Sequence, residues 1–137
     1  MKILLVDNHT NHLDAILPLL TDHEYSICCR ELFTDSIASP FDLIVLLGGS
    51  GVRSVKNHKE DYKNEIDFIQ KTTKKIIGIC LGCEIIASAF NCKLSENDSI
   101  HKGVYTITYG KENINVYEAH RFKIENVSID IKILATS

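Results

Sequence analysis

Residues 78–83 read Gly78-Ile79-Cys80-Leu81-Gly82-Cys83, and they hold the best candidate nucleophile in the sequence. An apolar run over residues 75–80 enters this segment, and a helical pattern marked by Ile85, Ile86, Ala89 and Phe90 leaves it. Gly-x-Nuc-x-Gly at a strand-to-helix turn is a nucleophile elbow, in which the turn is so tight that only small residues fit on either side. The nucleophile then projects at the carboxyl end of the sheet, where α/β proteins place their sites. The helix that follows aims its N-terminus at the Cys80 thiol, and such a dipole lowers a thiol pKa. The amide of Leu81 is placed to donate to an oxyanion. A buried cysteine in a glycine-rich turn is the plainer reading, since free cysteines are commonly buried. The strand, elbow and helix falling in register favour the functional one.

Two other chemistries use the same residues. Cys80-Leu81-Gly82-Cys83 also spells C-x-x-C, which opens a helix after a strand in thiol redox proteins. That reading leaves Gly78 and the Gly48-Gly49-Ser50-Gly51 loop without a role, and Cys83 is expected to turn into packing. A zinc site needs a second ligand pair at suitable spacing, and none is evident. His101 and His120 are available, but nothing in the pattern requires them, so no metal and no cofactor are expected.

Gly48-Gly49-Ser50-Gly51 directly follows an apolar run, and glycines there let backbone amides approach a ligand. No Lys-Ser/Thr follows and the dinucleotide spacing is absent, so a phosphate loop fits poorly. An oxyanion loop working with the elbow fits better.

The elements needed to position these residues are legible. Residues 2–7, 42–47 and 75–80 are short continuous apolar runs, as in parallel strands covered on both faces, and residues 24–29 add a further strand. Helices fall between them. Leu13, Ile16, Leu17 and Leu20 recur at helical spacing, with Asn11 as the cap and Pro18 as a kink or stop. Tyr62, Ile66, Phe68 and Ile69 mark a helix over roughly 59–73. This alternation predicts a doubly wound, mainly parallel α/β sandwich of the flavodoxin-like kind. After Cys92 the runs 104–109, 114–119 and 129–134 read as short strands of an added antiparallel β patch, with a hairpin at Tyr109-Gly110-Lys111-Glu112-Asn113.

Composition agrees with one globular domain over residues 1–137. The chain is 45% hydrophobic and 24% charged, with a net charge of −3. No broad basic surface is implied, which argues against a nucleic-acid partner. No apolar run approaches the roughly 20 residues that span a bilayer, so no membrane partner is expected. The N-terminal run reaches Asp7 too soon for a signal peptide, and the expected location is the cytoplasm. Five cysteines, two of them adjacent, make a disulfide framework unlikely by their odd count.

Taken together, these segments resemble the class I glutamine amidotransferases. Ile3-Leu4-Leu5-Val6-Asp7-Asn8 is similar to the family's first strand, and residues 42–51 to its strand and glycine loop. Gly78-Ile79-Cys80-Leu81-Gly82-Cys83-Glu84 resembles its G-x-C-x-G-x-Q nucleophile motif. Glu118-Ala119-His120-Arg121-Phe122 resembles the later segment that lines the glutamine pocket, and Leu134-Ala135-Thr136-Ser137 resembles the strand end that follows. The resemblance implies hydrolysis of the glutamine side-chain amide to glutamate and ammonia through a Cys80 thioester. It implies oxyanion contacts from the amides of Gly49 and Leu81. It places glutamine against Gly51, Glu84, Ala119, His120, Arg121 and Phe122, with a synthase subunit or domain accepting the ammonia.

The sequence departs from the family in three places. Ser50 stands where the family has proline, and Glu84 where it has glutamine. The family's His-Pro-Glu base and orienting carboxylate belong to a later strand, which the sequence does not reach. The expectation is therefore a C-terminally incomplete domain whose uncovered sheet edge self-associates. Three explanations stay open: a fragment, a catalytically inactive binding or regulatory module, and a site completed by another chain.

Overall fold

Strands β1 (Lys2–Asn8) and β3 (Leu43–Gly49) are apolar at nearly every position because both of their faces are covered. Leu4, Val6, Ile44 and Leu46 turn to one side and pack with Ile66, Phe68, Ile69, Leu81 and Ile85. Ile3, Leu5, Leu43, Val45 and Leu47 turn to the other and meet Leu13, Ile16, Leu17 and Leu20. The two-residue period of a strand thus feeds two separate apolar layers. The structure, a computed structural model, describes residues 1–50 and 54–136.

The main sheet has the order β2-β1-β3-β4, with every pairing parallel. Strand β2 (Glu24–Cys29) lies at one edge and β4 (Lys75–Gly78) at the other. The expected α/β sandwich is present, but the edge strands are far less buried than the central pair, and Ile27 and Ile77 are exposed. Helix α3 (Lys63–Lys71), led in by a 3-10 turn at Lys59–Tyr62, and helix α4 (Leu81–Ala89) cover one face. A shorter helix, α2 (Asp35–Ala38), is capped by Thr34, whose Oγ1 accepts from the Ile37 amide at 3.3 Å.

The first helix differs from expectation. Helix α1 (Leu13–Ile16) is one turn long and passes into a 3-10 turn at Leu17–Leu20, with Pro18 at its start. Pro18 has no amide hydrogen, so it is tolerated only where that donor would lack a partner. His12, not Asn11, occupies the cap position and offers no side-chain cap bond. The turn before it is held instead by Asp7 Oδ1, which accepts from the Thr10 amide at 2.8 Å, and by Thr10 Oγ1, which accepts from the His12 amide at 3.2 Å.

The antiparallel part is more extended than its short apolar runs suggest. Strands β5 (Lys93–Tyr109) and β6 (Glu112–Glu125) form one long hairpin, closed by Gly110-Lys111 with Gly110 at a φ of +61°. Its base is anchored in the core through Leu94 and Ile124, while Val104 and Tyr117 near the tip are exposed. The expected strand at 129–134 is absent. Ser128 organises a local turn there: its Oγ accepts from the Asp130 amide at 3.3 Å and its carbonyl from the Ile131 amide at 3.0 Å. Such side-chain bonds compete with ladder formation. Only β7 (Ala135–Thr136) pairs, antiparallel to β5.

Helix α3 buries Glu65 beside the core, with Oε1 unpartnered among the described residues. Burial pushes its carboxyl up to about 7, against the pull of the Arg30 guanidinium. A raised carboxyl means that the unfolded chain ionises first. Its stabilising effect is complete below about pH 4.5 and is lost as pH rises through about 7. Each pKa unit corresponds to about 1.4 kcal/mol, so the loss reaches up to about 3 kcal/mol. Urea unfolding followed across this range should show the wild type weakening as pH rises and Glu65→Gln holding nearly level.

Candidate functional site

The carboxyl ends of β1, β3 and β4 converge on the elbow. Asn8 ends β1, and its Nδ2 donates to the Leu47 carbonyl at 3.1 Å, tying β1 to β3. Ile79 donates its amide to the Leu46 carbonyl at 2.9 Å, extending the β3–β4 ladder into the turn. Cys80 follows at φ +53°, ψ −110°. That region is unfavourable for a residue with a Cβ and costs about 1–3 kcal/mol unless the surroundings impose it. Here they do. The Cys80 carbonyl accepts from the amides of Cys83 and Glu84 at 2.9 and 3.2 Å, which starts helix α4 immediately.

Both elbow glycines are required by contact. A Cβ on Gly82 would stand 2.0 Å from the Leu46 carbonyl oxygen, and one on Gly78 2.5 Å from the Gly82 carbonyl. The expected need for small residues on both sides is therefore met for a definite reason: the first turn of α4 lies directly on the strand backbone. The glycine loop sits beside it. A Cβ on Gly49 would meet Leu81 Cδ2 at 2.5 Å, and one on Gly48 would lie 3.5 Å from Cys80 Cβ. Gly51 lies outside the described residues.

A cavity of about 410 Å3 opens in front of the elbow. Cys80, Cys83 and Glu84 form one wall, from the start of α4. Ala119, His120 and Phe122 form the opposite wall, from β6. The structure thus brings together most of the residues singled out in the sequence. Arg121 does not line the cavity; its side chain reaches Glu96, 3.7 Å away. Glu118 and Lys123 do line it, and sequence reasoning left both out. Glu118 was findable, because residues two apart on a strand share a face and His120 was already a candidate. Cys83 also lines the cavity and is exposed, so it is not turned into packing as expected. Cys80 before the first turn of α4 and Cys83 within it both reach the cavity wall.

The electrostatics differ from the sequence expectation as well. Cys80 is reachable from the cavity, yet crowding by protein atoms raises its thiol pKa above the ordinary value. The Leu81 amide hydrogen bond pulls it down, as a helix N-terminus should, while the Glu84 carboxylate pushes it up. Desolvation outweighs the helix end. Glu84 is itself raised by burial, partly offset by the Val55 amide, which donates to Glu84 Oε2 at 3.4 Å, and by His120. Cys83 is raised too, first by burial and then by Glu84.

A parallel sheet that ends in a strained cysteine turn, faced by a cavity, defines an α/β domain with a thiol at the carboxyl end of its sheet. The chain belongs to the glutamine amidotransferase class-I family, whose pattern matches residues 4–137. It is 29% identical to the imidazole glycerol phosphate synthase subunit HisH of Blochmanniella floridana, over 66% of this chain and 45% of that one. The same protein from Blochmanniella pennsylvanica is also 29% identical, over 96% of this chain and 79% of that one. The chain thus spans less than half of the first relative and about four-fifths of the second. Its fold matches a Thermoplasma acidophilum protein assigned to a GMP synthase, with a TM-score of 0.86 and 22% identity, covering 100% of this chain and 73% of that one.

Two outcomes test this geometry. Helix propensity alone predicts that Gly82→Ala stabilises by about 1 kcal/mol. Contact with the Leu46 backbone predicts a loss of about 1–3 kcal/mol or more. Thermal unfolding should show a clear loss for Gly82→Ala and little change for Gly48→Ala, where the added methyl makes ordinary contacts. Separately, Glu84→Gln removes the charge that raises the Cys80 thiol. Iodoacetamide alkylation of Cys80, followed against pH by peptide mapping, should shift its midpoint to lower pH in the variant.

Proposed function

We propose that the domain is a glutaminase, with Cys80 as the nucleophile. The Cys80 thiolate attacks the side-chain carbonyl carbon of glutamine, and the electron pair of the C=O bond moves onto oxygen. The amides of Gly49 and Leu81 hold that oxyanion. As the carbonyl re-forms, the C–N bond breaks and the amide nitrogen leaves as ammonia after taking up a proton. Water then cleaves the thioester to glutamate and regenerates the thiol. Ala119, His120 and Phe122 hold the glutamine backbone groups from the opposite wall, together with Gly51, the Arg121 main chain and Glu84. The observation that carries this reading is the cavity itself, which sets the elbow thiol opposite the β6 segment.

The ammonia goes to a synthase partner. This follows the relatives that are named as subunits of imidazole glycerol phosphate synthase. A second reading, a glutamine-binding module without turnover, is favoured by one specific observation: burial and Glu84 both raise the Cys80 thiol. In that case glutamine occupies the cavity and the thiolate fraction at neutral pH is small.

An electrophilic glutamine analogue, a diazoketone, separates the two from each other and from error. On the glutaminase reading it adds covalently to Cys80, Cys80→Ala takes up none, and wild type releases ammonia from glutamine that Cys80→Ala does not. Glutamine that slows alkylation of Cys80 without releasing ammonia establishes the binding module. Labelling that falls on Cys29 or Cys92 and ignores glutamine would sink both.

A further inference from the structure

The register of the long hairpin sets three ligating side chains on one face. His101 on β5 lies directly opposite His120 on β6, and Glu118 lies opposite Gly103. Residues two apart on a strand share a face, so His101, Glu118 and His120 point the same way. Their ligand atoms all lie within 4.8 Å of one another. His101 Nε2 and His120 Nε2 each stand 3.2 Å from the same oxygen, Glu118 Oε2. Two donors bound tetrahedrally at about 2.0–2.1 Å from one ion are about 3.3 Å apart, so both spacings already suit a shared metal.

The hydrogen bonds around the cluster point the same way. His120 Nδ1 donates to the Phe122 carbonyl at 2.9 Å. A carbonyl only accepts, so Nε2 is the ring atom left to face Glu118 Oε2 at 3.2 Å, where a shared proton or a bound metal ion can bridge the two. A histidine that donates its second ring nitrogen to a carbonyl while offering the first is the usual outer arrangement of a metal ligand. His101 is held by Tyr105, whose ring stacks on it at 3.9 Å between centroids. Gly103, across from Glu118, has no side chain, and the Tyr105 ring lies beside it, 3.5 Å from where a Cβ would stand.

We infer that His101, Glu118 and His120 bind a divalent transition metal of the zinc type. Two imidazoles and one carboxylate suit zinc, cobalt or nickel, whereas magnesium and calcium prefer all-oxygen shells. Three protein ligands leave a fourth position open. Because Glu118 and His120 also line the cavity that holds Cys80, a metal here adds a cation and an exchangeable position to the wall facing the thiol. The site stands on these three residues alone and does not depend on the glutaminase reading.

The competing destination for such a metal is the Cys80/Cys83 thiol pair, so the test separates the two. The full chain is titrated with cobalt(II) and read by visible absorption, then with zinc by calorimetry. The expected result is one equivalent bound, with tetrahedral cobalt bands and no thiolate charge-transfer band. His101→Ala and Glu118→Gln should each weaken binding by about tenfold or more, and the double variant Cys80→Ser, Cys83→Ser should bind as wild type does. Imidazole nitrogen NMR of the wild type, which needs no variant to fold, should show Nε2 of both His101 and His120 shifting on zinc addition. Absence of saturable binding, unshifted imidazole resonances, or binding that survives His101→Ala and vanishes with the cysteines overturns the inference.

Discussion

The carbonyl of Leu46 is the point on which the site is built. It accepts the Ile79 amide at 2.9 Å, which sets where β4 ends, and it lies against Gly82, where a Cβ would stand 2.0 Å away. Between these two contacts the chain has only Cys80 and Leu81 in which to reverse from strand to helix. The positive φ of Cys80 follows from that closeness, as does the absence of side chains at positions 78 and 82. Burial of Leu81 and Ile85 against Leu46 and Ile44 holds the arrangement in place. Apolar burial of this kind contributes about 25 cal/mol per Å2, enough over several side chains to sustain one strained residue.

The same closeness sets the chemistry of the thiol. Packing α4 onto the sheet brings a helix N-terminus to Cys80, and the Leu81 amide does lower the thiol pKa. It also removes water from around the sulfur and places Glu84 beside it. These raise the pKa, and desolvation is the largest influence. A helix end is worth a few tenths to about 1 kcal/mol at ordinary exposure, so it loses to burial readily. Positive charge in the cavity, or removal of the Glu84 charge, would therefore shift the thiol back toward ionisation.

The hairpin β5–β6 is the second structural commitment. Its base is rooted in the core by Leu94 and Ile124, while its middle carries both the far wall of the cavity and the cluster of His101, Glu118 and His120. Closure at Gly110-Lys111 fixes the register down to His101, below which it shifts before Glu96. Ala119 and His120 are thus placed by a turn far from the elbow, while Phe122 and Ile124 belong to the register at the hairpin base.

Much of this was legible in the sequence. The apolar runs at 2–7 and 42–47 announced two-sided strands, and the strand–turn–helix order around Cys80 announced the fold class and the place of that cysteine in it. These signals are local: they depend on residue period and on glycine spacing over a few positions. Other features were not legible because they depend on partners distant in the chain or on competing side-chain bonds. Asn11 failed as a cap because Asp7 and Thr10 had already organised that turn, and residues 129–134 failed as a strand because Ser128 claimed the backbone. The helix dipole lost to desolvation at Cys80. The sequence alone determined which residue would stand at the strand-to-helix turn and which backbone would surround it. Only the tertiary structure decided the direction in which the thiol pKa is shifted and the meeting of His101 with Glu118 and His120, because solvent exclusion and cross-strand register exist only once distant segments are packed together.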